Sequence, residues 1–340
     1  MESDFLPMNT LSERWRGLQR LVAGIAAVAL IGAVPVVQAQ QPGPVAPDPA
    51  LTTREPLLNR IVLVGASVTA GFSITEPFGG PSTPQYRLRH YVEAAINVPH
   101  EPVVTHADAF FFTKPVEILE GQLKAAQEAR PSVVVALDSL FWFCYGNLPS
   151  EEARLERFET GLRLLEKITV PVVLGDIPDA SGAVGKILEK KQMPELATIA
   201  KCNERLMAWA GERENIRIFP LAKLMAAASS NDELKLETGT WSKGESRALL
   251  QKDGLHPSTS GLAALTIEVM GITAALAQPA LPEAALQRNL KTVLAAASVR
   301  AKAEADQRAE KERRAAEKAA EGSGGQGAAS PNATIPSLFP

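Results

Sequence analysis

Three side chains in this sequence have the types and order needed to build an activated nucleophile: Ser67, Asp253 and His256. Ser67 lies in Gly65-Ala66-Ser67-Val68-Thr69-Ala70-Gly71, directly after the apolar run Ile61-Val62-Leu63-Val64. A serine hydroxyl is a weak nucleophile until a base takes its proton. At a turn from strand to helix it also has backbone N–H groups nearby, which suit a developing oxyanion. Taken alone the turn is ambiguous. Gly and Ser are ordinary turn residues, and a hydroxyl-rich loop at a helix start also suits a phosphate. It is not a Gly-x-Ser-x-Gly elbow, because the second residue after Ser67 is Thr69. The other element is Asp253-Gly254-Leu255-His256-Pro257. An Asp at this spacing can accept from the imidazole Nδ1 and fix the tautomer, which leaves Nε2 to deprotonate a serine. Pro257 and Ser258, a candidate helix cap, stiffen that loop.

The elements that must position these residues alternate. Ile61–Val64, Val133–Leu137, Val170–Leu174 and Ile216–Phe219 are short runs without polar alternation, as expected of strands in a parallel sheet covered on both faces. Between them lie helical patterns. Val116, Leu119, Leu123 and Ala126 recur at helical spacing, and Leu155, Phe158, Leu162 and Leu165 do so after a cap at Ser150. Further helices are expected from Pro194 to about Glu212 and from Thr259 to about Ala277. Alternating strand and helix gives an α/β class, in which ligands lie beyond the carboxyl ends of the strands. Ser67 is at such an end.

With both blocks in view, the chain resembles the SGNH/GDSL hydrolase superfamily over roughly residues 58 to 278. Gly65-Ala66-Ser67-Val68-Thr69 is similar to that family's first block, with Ala66 where Asp is usual. Asp253-Gly254-Leu255-His256-Pro257 matches its last block, Ser258 to Gly261 resembles the residues that come next in the family, and Val172 to Pro178 resembles a core strand. The resemblance implies a flavodoxin-like three-layer α/β/α sandwich with a central parallel sheet. It also implies Ser67 as nucleophile, His256 as base and Asp253 as its orienter, ester or thioester substrates, and no cofactor.

The match departs from the family at the Gly and the Asn that complete its oxyanion hole. After Val133–Leu137, where the Asn belongs, the chain reads Asp138-Ser139-Leu140-Phe141-Trp142. The segment Thr105 to Thr113 has no Gly. One lost oxyanion donor typically costs roughly a hundred- to a thousandfold in rate. Candidate substitutes are the Ser67 backbone, Ser139, Asn147 and Lys114. An ionised Asp138 repels an oxyanion, so two roles are open to it: contact with a substrate hydroxyl, or capping of a neighbouring loop. Phe110, Phe111, Phe112, Phe141, Trp142 and Phe143 are candidates for an acyl pocket or for plain core. The leading expectation is an exported serine esterase acting on a small-molecule ester. The alternative is an impaired binding module of the same fold, for an acyl or sugar ligand.

The rest of the chain limits these readings. Its 340 residues are 46% hydrophobic and 21% charged, with a formal net charge of −3. That composition suits a folded domain and gives no basic face for nucleic acid. Residues 1–39 read as an export signal: Arg14, Arg16 and Arg20 precede the uncharged run Leu21–Val37, and Val37-Gln38-Ala39 has the small-residue pattern of a cleavage site. Periplasmic or secreted localisation is expected, with membrane attachment only if the segment stays uncleaved. Residues 40–56 read as a Pro-rich linker, 57–299 as the hydrolase-like domain, and 300–340 as a charged, solvated helical segment with a disordered tail. Cys144 and Cys202 are the two cysteines, a pair that an oxidising compartment allows. The four His are scattered, without metal-ligand spacing.

Overall fold

Alternation along the strands decides which face of the sheet each residue covers. In the computed structural model, which describes residues 55–80, 84–237 and 239–323, five parallel strands form one sheet. They are β1 (Ile61–Gly65), β2 (Val104–Ala107), β3 (Val133–Ala136), β4 (Val172–Gly175) and β5 (Ile216–Phe219), in the spatial order β2-β1-β3-β4-β5. Register places Val62 beside Val104 and Val134, and Leu174 beside Ala136 and Ile218. Ile61, Leu63, Val133, Val135 and Val173 turn to one apolar layer, and Val62, Val64, Val134, Val172 and Leu174 to the other.

Helices cover both layers. A single turn, α1 (Ser67–Ala70), comes directly after β1. The later helices are α2 (Leu88–Ala95), α3 (Pro115–Glu128), α4 (Phe141–Cys144), α5 (Glu151–Leu165), α6 (Leu196–Gly211), α7 (Leu221–Ser230), α8 (Thr259–Ala274) and α9 (Leu290–Ser323). Residues of α2, α8 and α9 pack with Leu63 and Val135; residues of α3, α5 and α6 pack with Val62 and Val134. The fold is therefore the three-layer α/β/α sandwich with the flavodoxin-like strand order 2-1-3-4-5. A small antiparallel hairpin, β6 (Leu234–Leu236) and β7 (Gly239–Trp241), lies between α7 and α8.

Several expectations change. Helix α6 starts at Leu196, two residues after Pro194, and α8 ends at Ala274 rather than Ala277. The edge strand β2, the helices α2 and α7 and the hairpin were not among the expected elements. One helix, α9, runs straight through the boundary placed at residue 299, and the segment beyond it is not solvated throughout, since Ala301 is buried. Val293, Ala297 and Ala301, spaced by four, are buried against α2, and Glu304 meets Arg87, Arg89 and His90. The expected export signal, most of the linker and the tail beyond residue 323 lie outside the described residues. Among the described residues no helix is long and apolar enough to cross a membrane.

Candidate active site

The switch point of this strand order lies between β1 and β3, where crossovers depart to opposite sides and leave a crevice. Ser67 comes just after β1 and Asp138 just after β3, so both stand at its edge. The Asp138 carboxylate binds the chain around Ser67. Its Oδ1 accepts from the Ala66 N–H at 3.0 Å and the Thr69 hydroxyl at 2.6 Å. Its Oδ2 accepts from the N–H groups of Val68 at 2.8 Å and Thr69 at 3.2 Å. The approach is so close that a Cβ on Gly65 would lie 2.1 Å from Oδ1, which is why glycine ends β1. Gln122 holds both backbone groups of Gly65, accepting from the N–H at 3.1 Å and donating to the carbonyl at 2.9 Å.

These bonds settle what Asp138 does: of the two roles left open, it caps the neighbouring loop. They also overturn the phosphate-cradle alternative, because the N–H groups of Ala66, Val68 and Thr69 already hold an internal carboxylate. The Ser67 N–H, in the middle of this set, is the donor the carboxylate leaves free. Two other oxyanion candidates are corrected as well. Ser139 is fully buried and its hydroxyl donates to the Val64 carbonyl. Asn147 is exposed, beyond the last turn of α4. Lys114 is also exposed.

The loop before α8 brings the other two residues. Gly254 has φ of +75°, a conformation that L side chains rarely adopt, and a Cβ there would lie 2.5 Å from the Gly182 carbonyl. Asp253 Oδ1 accepts from the N–H groups of Leu255 at 2.9 Å and His256 at 3.1 Å, which closes the loop. Its Oδ2 is 2.7 Å from His256 Nδ1, and His256 Nε2 is 2.8 Å from Ser67 Oγ. Ser258 caps α8 by accepting from the Gly261 N–H at 3.1 Å. Gln251 Nε2 ties the loop to the chain after α1 by donating to the carbonyls of Phe72 and Pro257. The Phe72 ring lies 4.5 Å from the imidazole.

Burial works to raise the Asp253 carboxyl, but the bond and charge of His256 and the two backbone N–H groups outweigh it, and the group ends below its ordinary value. An ionised carboxylate only accepts. Nδ1 is therefore the donor to Asp253, and in a neutral ring Nε2 is the acceptor for the serine hydroxyl. A hydroxyl that donates to a base held by a carboxylate is the arrangement that generates an alkoxide nucleophile.

Of the six candidate pocket aromatics, Phe141 and Trp142 line a cavity beside Ser67, whereas Phe111 and Phe143 are core. Phe110 and Phe112 are exposed; their rings lie 6.2 Å apart, and Phe112 reaches Trp142 at 5.4 Å. Cys144 and Cys202 are buried free thiols in mutual contact, and the Cys202 neighbour, with burial, pushes the Cys144 thiol far up. Among the described residues no group of three or more His, Cys, Asp or Glu side chains could hold a metal. The residues that sequence reasoning missed are Gln122, Gln251 and Phe72; only contacts far apart in the chain reveal them.

No family model and no curated protein matches the sequence. Among solved structures the chain is similar to the lipase/acylhydrolase from Enterococcus faecalis, at 20% identity and a TM-score of 0.43, over 64% of this chain and 96% of that one. It is also similar to the lipase Lip_vut3 from a goat rumen metagenome, at 15% identity and a TM-score of 0.39, over 63% of this chain and 97% of that one. What the site does chemically rests on its own geometry.

Proposed function

We propose that this protein is an exported serine hydrolase that cleaves ester bonds through an acyl-enzyme on Ser67, as a member of the SGNH/GDSL superfamily. The observation that carries the proposal is the unbroken chain from Ser67 Oγ to His256 Nε2 and from Nδ1 to Asp253, at 2.8 and 2.7 Å. His256 takes the Ser67 proton as Oγ attacks the ester carbonyl, and the oxyanion that forms meets the free Ser67 N–H. The same proton then passes to the leaving alkoxide as the tetrahedral adduct collapses. Water, deprotonated by His256, attacks the acyl-enzyme, and collapse of the second adduct releases the acid and restores the serine. Asp253 stays ionised throughout and stabilises the imidazolium.

The commitment of Ser139 and Asp138 to other partners, with Asn147 exposed, favours a second reading, a binding module that kept the fold and lost turnover. Labelling with a fluorophosphonate separates the two readings. The esterase reading expects a label on the wild type, on neither Ser67→Ala nor His256→Ala, and turnover of simple esters. An unlabelled, folded wild type with no turnover overturns it in favour of the binding module. Export is read separately, from the N-terminal residue of the mature protein recovered from the producing cell.

A further inference from the structure

We infer that the ester this site takes carries a short, unbranched acyl chain of about four carbons; this rests on the esterase reading. Beside Ser67 a cavity runs between α7, the β6–β7 hairpin and α8. Its walls include Leu137, Trp142, Leu224, Leu236, Leu249 and Leu255. The only polar side chains on the lining that are free of an apolar ring are Ser67 and Asp138, and all four bonds of Asp138 go to the nucleophile turn. Among the described residues no charged side chain along the wall is free to recognise a charged headgroup, and few donors or acceptors face it for a set of sugar hydroxyls. An alkyl chain is the ligand that leaves no buried polar atom unpaired there.

Two observations give its orientation and length. The lining includes Ser67, the residues on either side of it, and Leu255 and Pro257, but not His256. The leaving alkoxide must reach His256 Nε2 for its proton, whereas the acyl carbon is bonded to Ser67 Oγ. A cavity that touches the nucleophile and not the base is on the acyl side. The leaving group then lies toward the groove of Phe72, Ser73, Ile74, Gln251 and Lys252, beyond the imidazole. The cavity measures about 80 Å³. A cavity of about 150 Å³ holds one benzene ring, and each water takes about 30 Å³, so this one has room for about three methylenes. About three chain carbons beyond the reacting carboxyl fill it.

The test is a series of 4-nitrophenyl esters from acetate to dodecanoate, with kcat/KM read at each length. Each methylene that enters an apolar slot is expected to raise kcat/KM about fourfold until the slot is full. The expected profile peaks at about four carbons and falls by about eight. Ala228→Leu, which narrows the slot from α7, moves the peak to shorter chains, and Leu224→Ala moves it to longer ones. Turnover that is flat or falls steadily from acetate overturns the acyl slot and leaves the esterase reading standing. If no ester is turned over, that reading fails, and the slot is read without chemistry. Butyrate, and not acetate, should then raise the melting temperature of the Ser67→Ala protein; equal or absent shifts overturn the slot as well.

Discussion

Two buried carboxylates organise the two loops that meet at Ser67, and they divide their oxygens differently. Asp138 commits both oxygens to one turn, accepting from Ala66, Val68 and Thr69 and keeping nothing for a ligand. Asp253 commits Oδ1 to its own backbone and keeps Oδ2 for the imidazole. The first is a clamp whose product is a fixed backbone with one N–H left free at Ser67. The second is a clamp that also fixes the tautomer of an imidazole and favours its charged form. Burial and bonding alone therefore do not tell the two carboxylates apart. What distinguishes Asp253 is that one oxygen faces a titratable group.

The sharpest way to break this comparison is to remove the nucleophile, which both clamps serve. Ser67→Ala should lower kcat roughly a millionfold, to near background, with the melting temperature almost unchanged, because its hydroxyl meets only His256. Rates on 4-nitrophenyl butyrate, read beside thermal unfolding, check both halves. Asp253→Asn should come next at about ten-thousandfold in kcat, because an amide facing Nδ1 favours the wrong tautomer. It should keep much of the stability, since an amide oxygen can still accept from Leu255 and His256. A loss below about a hundredfold would mean that Oδ2 adds little to the base.

Asp138 should fail in the opposite way, through stability first. Asp138→Ala leaves three N–H groups and a hydroxyl without their acceptor, and about 3–5 kcal/mol of stability should go with them. Denaturant unfolding measures this. Asp138→Asn sharpens the point: its NH2 must face donors on one side, so it should recover part of the stability and of kcat together. If Asp138→Asn keeps full stability and loses only kcat, Asp138 acts on substrate and the division between the two carboxylates is wrong.

The same contrast explains what was legible in the sequence. Asp253 and His256 are three residues apart, so their bond could be read from spacing. Asp138 and Val68 are 70 apart, and nothing local to either shows that they meet. Two roles were left open to Asp138, and only the fold chose between them. The central strands were legible because they are apolar on both faces. Strand β2 was not, since at the edge Val104, Thr105 and His106 are only partly covered or exposed. The packed face of α9 is small, Val293, Ala297 and Ala301, and is masked by the alanines of a charged helix. Its anchor at Glu304 depends on Arg87, Arg89 and His90, more than two hundred residues earlier.

That anchor supplies the smallest and most selective test, because its carboxylate meets only arginines and a histidine. Glu304 accepts from Arg89 and faces His90 Nε2 at 2.6 Å, with Arg87 beside it, while Arg300 reaches Glu93 on α2. Burial pulls the His90 imidazole below its ordinary value, and this outweighs the Glu304 bond, which works the other way. Burial would raise Glu304, but Arg87, the His90 bond and Arg89 bring it below its ordinary value. Both groups thus hold fewer protons folded than unfolded, so stability at this dock rises with pH and is lost in acid. The His90 part is lost as pH drops below about 6.5 and the Glu304 part below about 4.5. The Asp253 part is lost only below about 3.8. At a pH of about 5 the loop of Asp253 and His256 should keep its full hydrogen-exchange protection, once rates are corrected for pH, while α2 and the first turns of α9 lose protection. His90→Gln should remove most of that difference. Equal loss in both regions would mean that the dock and the active-site loop open as one unit.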